Sequence, residues 1–231
     1  MSAKRLVLFD IDETMISTGG AGGRALGKAL TQTHQVPVEK TKVSMSGKTD
    51  PQIIFEILTA CGHDHDAARK AHEVVLPVYL NMLDAEIDKS ERLILHPGVI
   101  ELLEELVKKD TAYLGLVTGN VELGAQKKLT RFNLAHYFPI GAYGCDSANR
   151  LDLPAIAVQR AKQHFKQDFD ASHTVIIGDS VGDIACGHGY GAKVIAVNTG
   201  KTSWDSLAEH KPRHLLKNLS DTQAVLDAIF D

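Results

Sequence analysis

Short apolar runs alternate with segments of helical periodicity over most of the chain. Five mainly apolar runs have the length of buried strands, and the segments between them place apolar residues three and four positions apart. Near-continuous apolar strands separated by helices are typical of a parallel sheet covered on both faces. The predicted strands span residues 5–10, 112–118, 139–144, 173–179 and 193–198, and the predicted helices span residues 98–109, 121–132, 154–165, 183–191 and 221–230.

Residues 15–96 depart from this alternation. They contain several helix-like segments and no convincing strand, and Pro97 and Gly98 interrupt the chain before the next predicted helix. We therefore expect a doubly wound α/β core formed by residues 1–14 and 97–231. Residues 15–96 are predicted to be a helical cap inserted into that core.

Composition excludes several classes of function. The chain has 231 residues, 44% of them hydrophobic and 23% charged, with a net charge of −4, so no basic surface predicts binding to nucleic acid. No window approaches the roughly 20 apolar residues of a membrane span. The three cysteines show no CxxC spacing, which argues against a disulfide framework and favours a cytoplasmic location. Nothing in the sequence indicates the oligomeric state.

Polar residues stand where three of the predicted strands end. Asp10, Thr118 and Asp179 each occupy such a position, and ligands of open α/β sheets bind beyond the carboxyl ends of the strands. Asp12 follows Asp10 after one residue, which directs both side chains to the same side of an extended chain. Asp10 alone could equally be a turn or N-cap residue, but the set of three strand ends indicates a site.

The residue types at these positions suit phosphate chemistry. Asp10, Asp12, Asp179 and Asp183 offer only oxygen ligands, which favours Mg²⁺ over Zn²⁺. An aspartate can act as a nucleophile on phosphorus, and a second carboxylate can transfer the proton of the leaving oxygen. Thr118 and the backbone of Gly119 and Asn120 could hydrogen-bond the phosphoryl oxygens. Asn120 and Asp183 could equally cap the helices that follow them.

Three motifs in this order, "FDIDET", "LVTGN" and "IIGDSVGDI", resemble the haloacid dehalogenase superfamily. The match is to its phosphatase branch with a helical cap, and within it to the phosphoglycolate phosphatase-like group. The resemblance implies a Mg²⁺-dependent phosphatase that acts on a small phosphorylated metabolite. It also implies Asp10 as nucleophile and metal ligand, and Asp12 as general acid/base with its backbone carbonyl on the metal. Thr118 would bind phosphate, and Asp179 and Asp183 would hold the metal.

Two positions depart from the family pattern. The family usually has Gly after its second aspartate, where this chain has Glu13. Its third motif usually provides a lysine just before a proline that opens a helix. Arg150, one residue further from Pro154 than expected, is our candidate for this cation, and Lys162 is the alternative.

The segment "GKTD" at residues 47–50 is not a Walker A loop, because Lys42 stands where that motif requires Gly and no strand precedes it. Asp50 followed by Pro51 predicts the start of a helix, with Asp50 as its N-cap. Related proteins carry a basic residue here that reaches from the cap towards the substrate. This makes Lys48 a predicted substrate contact.

Two other functions use the same motifs. A phosphoglucomutase-type phosphotransferase would return the phosphoryl group to a sugar. A binding or regulatory protein of the same fold would have little turnover, although the intact pair of Asp10 and Asp12 argues against it.

Overall fold

The computed structural model of the protein describes residues 4–37 and 41–231. These residues form strands β1 (Arg5–Phe9), β2 (Ile16–Ser17), β3 (Ile94–Leu95), β4 (Ala112–Val117), β5 (Gly141–Ala142), β6 (Thr174–Gly178), β7 (Lys193–Val197) and β8 (His214–Leu216). They also form helices α1 (Ala21–His34), α2 (Asp50–Ala60), α3 (His65–Lys70), α4 (His72–Asp88), α5 (Val99–Val107), α6 (Glu122–Arg131), α7 (Leu153–Phe165), α8 (Val181–Tyr190), α9 (Trp204–Glu209) and α10 (Thr222–Phe230).

Six strands form one parallel sheet in the order β5-β4-β1-β6-β7-β8. The central strand β1 pairs with both β4 and β6, so that Leu6 lies opposite Tyr113 on one side and Thr174 on the other. This arrangement confirms the predicted α/β fold with a doubly wound parallel sheet. The carboxyl ends of β1, β4 and β6 therefore lie side by side at one edge of the sheet.

Helices cover both faces of the sheet because β1 is apolar on both sides. Val7 and Phe9 belong to one buried cluster, together with residues of α5, α6 and α10. Leu6 and Leu8 point to the opposite face, where they share a second cluster with residues of α7 and α8. Alternate residues of a strand face opposite sides, which explains this division.

All five predicted strands and all five predicted helices of the core are present, with ends that differ by a few residues. β5 is the largest difference, since only Gly141 and Ala142 of the predicted six residues pair with β4. The sequence pattern did not predict α9 or the edge strand β8. Both are too short, at six and three residues, to show a clear period.

Helices α1 to α4 follow β1 and are inserted before α5. Their buried residues form a separate apolar cluster that includes Leu30, Ile57 and Leu83. The prediction that residues 15–96 contain no strand is wrong in one detail. The two-residue strands β2 and β3 pair antiparallel where the chain leaves the core and returns to it. Two residues are too few to produce an alternating pattern.

No helix among the described residues is long and apolar enough to cross a lipid bilayer.

Candidate active site

A cavity of about 610 Å³ lies at the carboxyl ends of β1 and β4, between the sheet and the inserted helices. The helical segment contributes Leu26, Met45 and Tyr79 to its wall, and the loop after β7 contributes Lys201. Eight of the nine predicted site residues line this cavity: Asp10, Asp12, Lys48, Thr118, Gly119, Asn120, Arg150 and Asp179. The ninth, Asp183, is completely buried behind Arg150.

Three buried carboxyl groups form an acidic cluster. Asp10, Asp179 and Asp183 each place one carboxylate oxygen within 4.8 Å of the other two. Burial, aided by the neighbouring carboxylates and opposed by Arg150, raises the pKa of Asp10 to about 7. Burial and the charges of Asp183 and Asp10 raise the pKa of Asp179 to about 9. Such a cluster binds a proton or a cation more readily than it stays fully charged.

The donor set of this cluster fits Mg²⁺. All three residues offer oxygen, the ligand that this ion prefers, and no histidine or cysteine belongs to the cluster among the described residues. Thr14 holds Asp179 in place, because its hydroxyl donates to Asp179 Oδ1 over 3.0 Å. A side chain at Gly200 would collide with the other oxygen, Oδ2. The glycine at position 200 thus leaves the space that the Asp179 carboxylate occupies.

Arg150 connects the nucleophile candidate to the acidic cluster. Its Nη2 lies 3.2 Å from Asp10 Oδ1 and also pairs with Asp183 Oδ1. The second oxygen of Asp183 accepts from Ser180 N (3.0 Å) and Ser180 Oγ (2.6 Å) at the start of α8. Asp183 is thus held by an ion pair and by a helix cap at the same time. Arg150 Nε is buried without a hydrogen-bond partner among the described residues.

The extra residue before Pro154 is absorbed by a single 3₁₀ turn over Arg150–Asp152, which leads directly into α7. This turn places the Arg150 side chain in the cavity. The alternative cation, Lys162, lies further along α7, pairs with Asp168 over 2.5 Å and has 64% of its side chain exposed. The cavity lining includes Arg150 and not Lys162.

Asp12 stands apart from the acidic cluster. Its Oδ2 accepts from Asn120 Nδ2 (2.8 Å) and from Lys128 Nζ (2.6 Å). Asn120 is not the N-cap of α6, since that position belongs to Val121. The Asn120 side chain is therefore used inside the site. The proposed metal contact of Asp12 was through its backbone carbonyl and stays a prediction.

Thr118 and Gly119 form the floor of the cavity beside Asp12. The Thr118 hydroxyl is buried and accepts from Asn120 Nδ2 at 2.9 Å, which leaves its own proton free to be donated. A side chain at Gly119 would collide with the backbone oxygen of Lys48. Asp50 N donates to Gly119 O over 2.8 Å. The inserted segment thus rests directly on the loop that follows β4.

Lys48 lines the cavity, but its ammonium pairs with Glu56 of α2. Its role as a substrate contact stays a prediction.

The N-cap of α2 is Thr49 and not Asp50, so the predicted cap is wrong. Thr49 Oγ1 accepts from Gln52 N, whereas Asp50 Oδ2 accepts from Val121 N at 2.9 Å. Asp50 therefore satisfies a backbone amide at the start of α6, on another part of the chain. Burial raises the pKa of Asp50 to about 6, against the opposing charge of Lys128.

The sequence reasoning missed Lys128. This residue is 4% exposed and occupies the same side of α6 as the buried residues Ala125 and Leu129. A lysine among the apolar positions of an amphipathic helix is rarely buried without a partner. The presence of Lys128 at an apolar position of the helical pattern was therefore the signal that could have identified it as a site residue.

The backbone conformation of Glu13 explains why the family pattern has glycine at this position. Its φ angle is 61°, in the left-handed region where glycine carries no steric cost. The Glu13 side chain compensates in part, because its carboxylate accepts from Ser17 Oγ at 2.8 Å and lies 3.8 Å from His96 Nε2.

A family model described as haloacid dehalogenase-like hydrolase matches residues 7–197 of the chain. Among curated proteins, a phosphoglycolate phosphatase of Pseudomonas fluorescens is 25% identical over 217 residues, which cover 93% of this chain and 77% of that protein.

Solved structures share the fold at low sequence identity. A structure described as a predicted phosphatase of Clostridium acetobutylicum has a TM-score of 0.70 at 16% identity, covering 98% of this chain and 100% of its own. A candidate beta-phosphoglucomutase of Thermotoga maritima has a TM-score of 0.60 at 18% identity, with coverages of 97% and 99%. These two likenesses support the fold alone.

Proposed function

The chain belongs to the haloacid dehalogenase-like hydrolases, and we propose that it is a Mg²⁺-dependent phosphatase of small phosphorylated metabolites that works through a phosphorylated Asp10. One observation carries this proposal. Asp10 lines the cavity beside Arg150 and the other two carboxyl groups of the acidic cluster, and Asp12 with its two donors lines the same cavity. A nucleophile, a charge-balancing group and a proton carrier are thus in reach of one bound phosphate ester.

The proposed first step is attack by an Asp10 carboxylate oxygen on phosphorus. A bond forms between that oxygen and phosphorus while the bond from phosphorus to the leaving oxygen breaks, and Asp12 donates its proton to the leaving oxygen. In the second step Asp12 takes a proton from a water molecule, whose oxygen attacks phosphorus and releases inorganic phosphate from Asp10. The Asp12 carboxylate is then protonated again.

Arg150 and Thr118 bind the phosphoryl oxygens in this proposal. Arg150 has a buried, unpartnered Nε, and Thr118 has a hydroxyl proton to donate. Both side chains are held by other contacts before the substrate arrives, which limits the rearrangement needed to stabilise the transition state. When bound to the carboxylates of Asp10 and Asp179, Mg²⁺ would offset the negative charge shared by the nucleophile and the phosphate.

The inserted helices are proposed to act as the cap that selects the leaving group. They form the wall of the cavity opposite the sheet together with the segment between α1 and α2. Leu26, Val43, Met45 and Ile53 are apolar there, and Lys48 is already paired. A cavity of about 610 Å³ suits a small ester. Phosphoglycolate is the favoured substrate because a curated relative is a phosphoglycolate phosphatase.

The test is a phosphate-release assay over a panel of phosphorylated metabolites, including phosphoglycolate and hexose phosphates, with Mg²⁺ and with excess chelator. We expect release from at least one member of the panel with Mg²⁺ and none with chelator. Isomerisation of a sugar phosphate that depends on a sugar bisphosphate would instead show a mutase. An absence of both reactions across the panel would favour the binding or regulatory alternative.

A further inference from the structure

Lys128 is a buried ammonium with two polar partners. It is 4% exposed, and its Nζ donates to Asp12 Oδ2 and to Asn120 Oδ1, each over 2.6 Å. Removing an ammonium from water is costly, so a lysine is rarely buried at this depth unless its charge is paired. An apolar residue would fill this position of α6 at lower cost. The presence of a lysine here therefore indicates a use for its charge.

Asn120 completes a triangle of hydrogen bonds with these two residues. Its Nδ2 donates to the same oxygen of Asp12 that accepts from Lys128, at 2.8 Å. Two donors on Oδ2 hold the carboxylate in one orientation. No hydrogen bond to Asp12 Oδ1 occurs in the part of the chain that the structure describes. Asp12 lines the cavity with 37% of its side chain exposed, so Oδ1 is the oxygen available to the leaving group.

The ammonium also lies where the sheet domain meets the inserted helices. A Cβ at Gly22 in α1 would lie 3.2 Å from Lys128 Nζ and 3.8 Å from Tyr79 Oη of α4. Asp50 of α2 adds a negative charge nearby. Residues from three inserted helices thus lie beside Lys128. Its ammonium is almost fully buried there, which strengthens the ion pair with Asp12.

We propose that Lys128 is a positioning residue, which orients the Asp12 carboxylate so that Oδ1 meets the leaving oxygen. This inference rests on the proposed phosphatase function, in which Asp12 transfers the proton of the leaving oxygen. In the proposed reaction Lys128 acts through Asp12 and not directly on the phosphorus or the attacking oxygen. Its loss should therefore slow the step that needs a proton and leave substrate binding nearly unchanged.

The test compares Lys128→Met with Lys127→Met. Lys127 is the preceding residue of α6, does not line the cavity and pairs with the exposed Asp84, so it is a matched control. Each variant is assayed under single-turnover conditions, which report release of the leaving group and not hydrolysis of the phosphorylated Asp10. The two substrates are the best alkyl phosphate of the panel and p-nitrophenyl phosphate, whose stable phenolate leaves without a proton. For Lys128→Met we expect the single-turnover rate on the alkyl ester to fall about 100-fold, the lower bound for losing a proton donor. The concentration needed for half-maximal rate and the single-turnover rate with p-nitrophenyl phosphate should change by less than about threefold, and Lys127→Met should match the wild type.

Two further variants separate positioning from a structural role. Lys128→Arg, which restores a cation with several donors, should recover most of the loss on the alkyl ester. In an Asp12→Asn background, Lys128→Met should add less than about a threefold loss, because residues that act as one unit are not additive.

If Lys128→Met loses activity equally on both esters, or loses none on either, the inference is overturned. The proposed function still stands in that case, provided that the wild type releases phosphate. No release by the wild type would overturn both. If Lys128→Met does not fold, the two esters are compared with Lys128→Gln, which removes the charge but keeps a polar side chain, and an equal loss on both again overturns the inference.

Discussion

Asp10 is the residue on which the proposed chemistry depends. It combines a nucleophilic oxygen with a place in the acidic cluster, and its charge is opposed only by Arg150 among the described side chains within ion-pair distance. Its carboxylate is costly to ionise in this surrounding, as the raised pKa shows. A group held under these conditions is more useful for catalysis than for stability.

We predict that Asp10→Asn lowers phosphate release by at least about 10⁴-fold, a typical loss for a removed nucleophile. The amide keeps the shape of the carboxyl group and removes a buried charge, so the melting temperature should not fall. Activity is measured by phosphate release and folding by circular dichroism. Turnover above a few per cent of wild type, in a preparation free of other phosphatases, would contradict the assignment of Asp10.

Glu13 lies beside this pair in a conformation that favours glycine. Its φ of 61° imposes a cost on any residue with a Cβ, and the bond to Ser17 compensates only while the carboxylate is present.

We predict that Glu13→Gly is more stable than Glu13→Ala by about 1 kcal/mol, the cost of a left-handed non-glycine residue. Both variants lose the contacts to Ser17 and His96, so the comparison isolates the backbone strain. Urea unfolding of the two proteins measures the difference. If Glu13→Ala proved equal or more stable, the left-handed conformation of residue 13 would be ruled out.

At the scale of elements, the start of α2 and the start of α6 stabilise each other. Asp50 N donates to Gly119 O, and Asp50 Oδ2 accepts from Val121 N. These bonds connect an inserted helix to the loop that holds Thr118 and Asn120. The Asp50 carboxylate also lies near Lys128, whose positive charge lowers the cost of burying Asp50.

The raised pKa of Asp50 predicts a pH dependence of stability. Because the folded pKa is about 6 and the ordinary value is 3.8, the unfolded chain releases its proton first as the pH rises. This group's contribution to stability is complete below pH 4 and is lost as the pH rises through about 6. One pKa unit corresponds to about 1.4 kcal/mol, and partial exposure of the side chain reduces the total to about 1–2 kcal/mol.

Asp50→Asn should remove this contribution to the change in the free energy of unfolding with pH. The amide oxygen still accepts from Val121 N, and the amide does not titrate. Urea unfolding of the metal-free wild type and variant at pH 4.5 and pH 7 gives the comparison. Asp10 and Asp179 titrate in both proteins, so their effect cancels when the change in unfolding free energy between the two pH values is compared. Identical slopes would mean that folding does not raise the pKa of Asp50.

At the scale of the whole molecule, the acidic cluster joins the ends of β1 and β6 with the start of α8. Repulsion among its carboxylates opposes this packing, and Arg150 relieves only a part of it. A divalent cation that binds the folded state alone would stabilise the entire fold.

We predict that Mg²⁺ raises the melting temperature of the wild type by several degrees at pH 8, and that excess chelator reverses the shift. At a concentration 100-fold above the dissociation constant, binding adds about 2.7 kcal/mol. Asp179→Asn should abolish most of the shift, because it removes a ligand from the cluster. Asp205→Asn is the matched control, since Asp205 is exposed in α9. A shift retained in Asp179→Asn would place the cation elsewhere.

Much of the fold and a large share of the candidate site could be predicted from the pattern of residues. Asp10, Thr118 and Asp179 are each adjacent in sequence to an apolar strand, so their position relative to the sheet followed from the strands themselves. The short elements β2, β3 and β8 escaped prediction because local patterns of two or three residues carry too little information. The domain boundaries at residues 14 and 96 stay a prediction.

The sequence by itself determined that the strand ends share one edge of a parallel sheet, because alternating strands and helices leave few other topologies. It also determined which carboxylates could meet there. Only the tertiary structure decided their partners. Arg150 rather than Lys162 reaches the cavity, Asp50 binds the start of α6, and Lys128 lies behind Asp12, 116 positions away in the chain. Such pairings depend on how separate elements pack, and no local pattern of residues encodes that distance.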